Sequence, residues 1–228
     1  MVLLYTVLGF LFLGSLWAGY RQLLQLEQLN QRMLRNLLIG ALLLLGLMLV
    51  GYWSNLLTQP VAAQITMGFY SIAAGFFFGY GSRMFLKHRK AGSVLYVHRS
   101  FWSDVAPNLL AIILVLFGIY RTGLLSDASF TGIGITSGIS LVGFGFFGWT
   151  VRIVPEFREK GVFILDKLVE WKDIVSYKWI SEEVLEIDYL NDKSVSYFST
   201  YIPPEDQLAI ERILGQKIKE HEEERKGS

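Results

Sequence analysis

ISLVGFGFFGWTV, residues 139–151, carries the spacing G-x-G-x-x-G at Gly143, Gly145 and Gly148. If the stretch is a phosphate-binding loop, the chain is a nucleotide enzyme. If it is part of an apolar helix, the chain belongs in a membrane. A dinucleotide fingerprint needs a strand before it, a soluble helix after it and an acid about 20 residues on. Here Ile139, Leu141 and Val142 precede the glycines, and Trp149, Thr150 and Val151 follow them. Unpaired backbone polar groups are too costly in lipid for anything but a helix. The stretch therefore reads as the inside of a transmembrane helix, and no nucleotide or other cofactor is expected.

Working outward, the uncharged run around it covers about 129–151 and ends at Arg152. Four more runs have the same character. Val2 to Tyr20 holds no charge, and 19 residues of helix reach roughly 28 Å, close to the thickness of a bilayer core. A signal peptide normally opens with a basic segment. This chain opens Met-Val-Leu-Leu and places Arg21 after the run, which predicts a retained helix. The uncharged stretch between Arg35 and Arg83 is long enough for two spans, about 37–57 and 61–82, divided at Thr58-Gln59-Pro60 because proline lacks an amide donor. A fourth span covers about 108–125, with Arg121 near its end able to snorkel.

Charge placement orients these five helices. Arg21, Arg32 and Arg35, then Arg83, Lys87, Arg89, Lys90 and Arg99, then Arg152, Arg158 and Lys160 all fall on one side of a five-span topology. The loops 58–60 and 126–128 hold no Lys or Arg. The positive-inside rule then puts the N-terminus outside and the C-terminus in the cytosol. The membrane expected is the plasma (inner) membrane, with an internal photosynthetic one as the alternative. Residues 1–155 hold ten Lys/Arg and three acids, whereas 156–228 hold eleven and seventeen, so the net +1 conceals two regions in different solvents.

The domains expected are a transmembrane part (1–155), a cytosolic domain (156–220) and a charged, frayed tail (221–228). Within the cytosolic domain, GVFIL (161–165), LVEW (168–171), IVSYKWI (174–180), VLEIDYL (184–190) and SVSYFSTYI (194–202) alternate with period two, as strands do. Asp166-Lys167 and Asn191-Asp192-Lys193 read as turns. Pro203-Pro204 stops the last strand and, with Glu205 and Asp206, opens a helix whose buried stripe is Leu208, Ile210, Ile213, Leu214 and Ile218.

A shift of 69 residues lays 77–105 over 146–174, with eight identities including Trp102/Trp171 and Asp104/Asp173. Ordinary composition gives about two. An internal repeat is the expectation, and it makes 93–102 a short cytosolic β-hairpin.

Gly161-Val162, Trp171-Lys172-Asp173-Ile174 and Tyr177-Lys178-Trp179, followed by strands and a helix opened by proline and acids, resemble the cytosolic tail of a bacterial family of uncharacterised integral membrane proteins. The resemblance covers about 156–218. It implies a pleckstrin-homology (PH)-like domain, a small antiparallel sheet or barrel of seven strands closed by a C-terminal helix, and it implies no reaction. Five strands come from the tail and the hairpin would supply two.

Candidate functional residues follow. Trp171, Asp173, Tyr177 and Trp179 are the candidate partner-binding cluster, although aromatics on strands more often form sheet core. Lys87, Arg89 and Lys90 are candidate lipid-headgroup contacts, in a run that also serves as the positive-inside signal. Gly134, Gly138, Gly145 and Gly148, with Gly75 and Gly79, are candidate helix-packing positions, expected to join the third span to the fifth. A homo-oligomer is the other use of such faces. With no cysteine and only His88, His98 and His221, no metal site is expected, and no nucleophile–base set stands out, so an enzyme is not expected. The expected function is a membrane-anchored binding, scaffold or regulatory subunit. Its partners are membrane lipid and a protein at the cytosolic face, without nucleic acid. The alternative is a small transporter or channel component, against which stands the lack of intramembrane charge.

Overall fold

The computed structural model describes residues 2–24, 26, 31–125, 130–191 and 194–226. The loop 126–128 and the turn residues 192–193 fall outside them. The elements in chain order are α1 (Val2–Tyr20), α2 (Gln31–Trp53), α3 (Gln59–Lys90), β1 (Val94–Val97), a π-helical turn (Phe101–Val105), α4 (Ala106–Arg121) and α5 (Gly132–Thr150). There follow β2 (Arg152–Arg158), β3 (Gly161–Leu165), β4 (Lys167–Glu170), a 3-10 turn (Trp171–Asp173), β5 (Ile174–Ser181), β6 (Val184–Asn191) and β7 (Ser194–Tyr201). A 3-10 turn (Pro204–Asp206) leads into α6 (Gln207–Lys226). GFGFFG lies inside α5, as its apolar flanks require.

The chain divides into two compact units, residues 1–86 with 104–151 and residues 87–103 with 152–228. The division is not the single cut near 155 that charge suggests. The sheet unit takes its first strand from before α4 and its second from after α5, so this helix pair is an insertion between two neighbouring strands. That arrangement also replaces the expected hairpin at 93–102. Only Val94–Val97 is a strand, and its partner is β2, with Tyr96 opposite Phe157 and Val97 opposite Glu156. Residues 101–105 wind into the approach to α4 instead of returning as a second strand.

In the helical unit, four helices among the described residues are long and apolar enough to cross a membrane: α1, α3, the segment from Phe101 through α4, and α5. The expected second span falls on α2, several of whose side chains lie outside the described set. Close backbone approach sets the packing. A Cβ on Gly75 or Gly79 would overlap the carbonyl oxygens of Phe12 and Leu16, and one on Gly19 would overlap that of Phe76. α1 and α3 therefore cross on glycine. α4 and α5 do the same at Gly118, Gly138 and Gly145, where a Cβ on Gly138 would stand 2.6 Å from Gly118 O. The contact of α3 with α5 is aromatic. Phe77 meets Phe144 edge-on at 4.8 Å, and its ring lies 5.3 Å from that of Phe147.

In the sheet unit, β1-β2-β3-β4 form one antiparallel sheet and β5-β6-β7 another. Their shared core contains Phe157, Val162, Val169, Trp171, Ile174, Leu185, Ile187 and Tyr189, and Ile210 and Leu214 of α6 complete it. β2 is a strand where the sequence suggested only a basic exit. The two halves of the expected repeat differ here, because residues 83–89 remain helical while their counterparts 152–158 are extended. Trp171 is 1% exposed and Trp102 is 80% exposed. The two segments are built differently, and the repeat is not supported. The tail is helical to Lys226, where fraying from 221 was expected. Its Glu- and Lys-rich sequence favours helix, and Lys217 and Gln216 both bond Glu220 one turn on.

Candidate functional site

The sheet unit is built on aromatic side chains, and the indoles of Trp171 and Trp179 are both hydrogen-bonded. Trp171 sits in the turn between β4 and β5, and its indole N–H donates to the carbonyls of Arg158 and Glu159, both at 3.0 Å. Gly161 makes room for the backbone of β4, since a Cβ there would overlap Val169 O. Tyr177 and Trp179 lie partly buried against the same core, and Trp179 donates to Glu211 of α6 at 2.9 Å. Asp173 is half-buried in the 3-10 turn. Three of the four candidate residues thus face inward together, and the fourth lies in the turn that joins β4 to β5.

The outward face of β5-β6-β7 is a different surface. Register puts Val184, Glu186, Asp188 and Leu190 of β6 on it, opposite Tyr201, Ser199, Tyr197 and Val195 of β7. Tyr197 is 69% exposed and Val195 62%, and Tyr201, Leu190, Val175 and Ile180 are also exposed large apolar groups. The two acids on this face are engaged locally. Lys178 bonds Glu186 at 2.7 Å, and the Ser176 hydroxyl donates to Asp188 at 2.7 Å. What remains is an apolar, tyrosine-bearing strip beside an edge strand. Sequence reading missed it because both faces of SVSYFSTYI carry apolar residues. Phe198 and Thr200 turn inward and the Val195-Tyr197-Tyr201 set turns outward.

A second polar assembly ties the end of α3 to β2. Arg158 donates from Nε to Glu156 at 2.8 Å, and its Nη1 reaches the carbonyls of His88 at 3.1 Å and Gly92 at 2.9 Å. A guanidinium from a strand thus serves the unsatisfied carbonyls at a helix C-terminus, where positive charge is favoured. Glu156, nearly buried, also faces Arg152 at 3.3 Å. Gly92 adopts φ +84°, the left-handed cap conformation, and a side chain there would collide with Glu159. Ser93 donates to Glu159 at 2.6 Å, and this hydroxyl with the Ser93 amide holds the Glu159 carboxyl below its usual range. The Tyr96 hydroxyl donates to Asp206 at 2.8 Å, and burial together with that bond raises the phenol above its ordinary value.

Of the three basic candidates, Lys87 donates to the Asp166 carbonyl at 2.7 Å, while Arg89 and Lys90 are exposed. The glycine candidates separate by partner. Gly75 and Gly79 receive α1 instead of α5, Gly138 and Gly145 receive α4, Gly134 lies against its own cap Thr131 and the Arg121 carbonyl of α4, and Gly148 meets only the Ala111 methyl at 3.9 Å. Gly118 and Gly143, the latter against Phe78 and the Ala74 carbonyl, are packing positions that the sequence did not single out. Among the described residues, no three His, Asp or Glu side chains converge as a metal site would require.

Residues 154–219 match a family described as a domain of unknown function (DUF5673). The match covers β2 through most of α6. No curated protein and no solved structure matches the chain.

Proposed function

We propose that this chain is a five-span integral protein of the plasma (inner) membrane, N-terminus outside, whose cytosolic PH-like unit docks a protein partner on the outer face of β5-β6-β7. The observation that carries the proposal is the exposed strip of Val195, Tyr197 and Tyr201 on an edge strand, with its neighbouring acids already paired. Tyrosine on a flat, partly apolar surface supplies contact area at low entropic cost and is enriched among binding hot spots. Seven strands among the described residues, four in one sheet and three in the other, with a helix packed on the core, support the PH-like reading. Anionic phosphoinositides are disfavoured as ligands, because the tail is net acidic. The apolar helices and the placement of Arg and Lys support the topology. The small-residue faces are occupied by helices of the same chain, which favours a bundle over an oligomer contact at those positions.

The test uses the full chain in its own membrane, crosslinked and then solubilised in mild detergent. Tyr197→Glu is expected to lower partner recovery about 30-fold, the effect of losing roughly 2 kcal/mol at a hot spot. Leu208→Glu, at a position of α6 expected in its buried stripe but in fact 77% exposed, is expected to leave recovery unchanged. Equal recovery from wild type and Tyr197→Glu would refute the docking face. A reporter fused after Ser228 is expected to be active only in the cytosol, and activity on the other side would refute the topology.

A further inference from the structure

Between α4 and α5 lies a cavity of about 500 Å³. Its walls are Ala111, Val115 and Leu116 of α4 and Val142, Phe146 and Trp149 of α5, with Phe78 of α3 behind them. Leu116 and Trp149 on its rim are exposed. Gly145 forms part of the floor, because the absence of a side chain lets Ala111 O and Val115 approach within 2.8 Å of where its Cβ would be.

Length decides what fits. The α5 wall runs from Val142 to Trp149, about 10 Å of helix. Trp149 is the residue before the helix ends at Thr150, and β2 of the sheet unit begins at Arg152. The groove therefore starts at one membrane boundary and stops inside one leaflet, whose share of a bilayer core is about 15 Å. A partner transmembrane helix would need a surface through both leaflets. A single extended hydrocarbon chain needs only this one-leaflet length, and a wall made almost wholly of apolar side chains offers little to hold water there.

We propose that this groove is a lipid site that holds an acyl chain of a phospholipid from the leaflet at the Trp149 end. The glycerol lies beside the Trp149 ring, and the tail runs toward Val142 and Leu116. Tryptophan at that depth suits the boundary, where its amphipathic ring is preferred. The site rests on reading α4 and α5 as membrane-spanning and is independent of the docking face on the sheet unit.

The test is photolabelling of the full chain in vesicles of phosphatidylcholine and phosphatidylglycerol, doped with a phospholipid bearing a diazirine in its acyl chain. Adducts are mapped by peptide mass spectrometry. Labels are expected to concentrate on 111–116 and 142–149 over Leu110 and Phe117, which are exposed on the same helix outside the groove. Ile112→Trp with Leu116→Trp, both at exposed rim positions, should fill the space. Groove labelling should then fall at least about fivefold, equivalent to roughly 1 kcal/mol of preference, with Leu110 and Phe117 unchanged. Equal labelling of groove and outer positions, or groove labelling that survives filling, overturns the site. Absence of label from Leu110 and Phe117 as well overturns the membrane reading itself.

Discussion

Replacing Arg158 by methionine removes a side chain that joins Glu156 to the carbonyls at the end of α3. The Arg158 and Glu156 side chains are 12% and 6% exposed, so the pair is effectively buried. Breaking a buried ion pair from one side typically costs about 3–5 kcal/mol, because the remaining charge is left in low dielectric. The lower end applies here, since Arg152 stays 3.3 Å from Glu156 and is one-third exposed. The carbonyls of His88 and Gly92 also lose their donor, and α3 loses a cation at its C-terminus, together about 1 kcal/mol. The expected loss is about 3–4 kcal/mol. For a sheet unit of fewer than 100 residues, each kcal/mol lowers Tm by about 4–8 °C, so the drop is at least about 12 °C. Hydrogen exchange is the better readout in detergent, because it reports locally. Protection should fall in peptides spanning 87–98 and 152–170, with α1 and α4 unaffected. Glu156→Gln in the same chain should recover about 1–2 kcal/mol by removing the orphaned charge, within the usual range of coupled neighbours. A single-variant loss under about 1 kcal/mol would mean the pair behaves as a screened surface bridge, and the reasoning would fail. A double variant no more stable than the single would refute it equally.

Two further outcomes follow from the packing and the titration. Gly79→Leu places a side chain on Leu16 O and should separate α1 from α3, read as lost crosslinking between cysteines introduced at the crossing; Gly9→Leu, whose Cβ meets nothing within 4 Å, is the control expected to keep it. Intact crosslinking in Gly79→Leu would show that α1 docks otherwise. The Tyr96 phenol is raised in the folded chain, so folding holds its proton more tightly than the unfolded chain does. Its contribution is complete below about pH 10, the unfolded value, and is lost as pH rises through the folded one. Phenolate absorbance should therefore lose no step near pH 10 in folded Tyr96→Phe and should lose one after unfolding. A missing step in the folded variant would contradict the Asp206 bond.

Much of the site was legible in part only. Trp171, Tyr177 and Trp179 stood out in the sequence as a cluster, and a cluster they are. Which way they face was decided by the second sheet and α6, which close over them. The run 194–202 shows the limit most clearly. Alternation marks it as a strand, but Val195-Tyr197-Tyr201 and Phe198-Ile202 are both apolar sets, and composition alone does not choose the buried one.

The sequence by itself determined the apolar helices, the helical fate of GFGFFG, the acidic C-terminal region and most of its strands. These rest on local periodicity and on the absence of charge, which are properties of neighbouring residues. Tertiary structure decided which helices the glycines join, that β1 pairs with β2 across an inserted helix pair, and that Arg158 caps α3 from 70 residues away. Each of these is a contact between segments distant in the chain. Their complementarity lies in shape and hydrogen-bond geometry, which leave no periodic mark on the sequence.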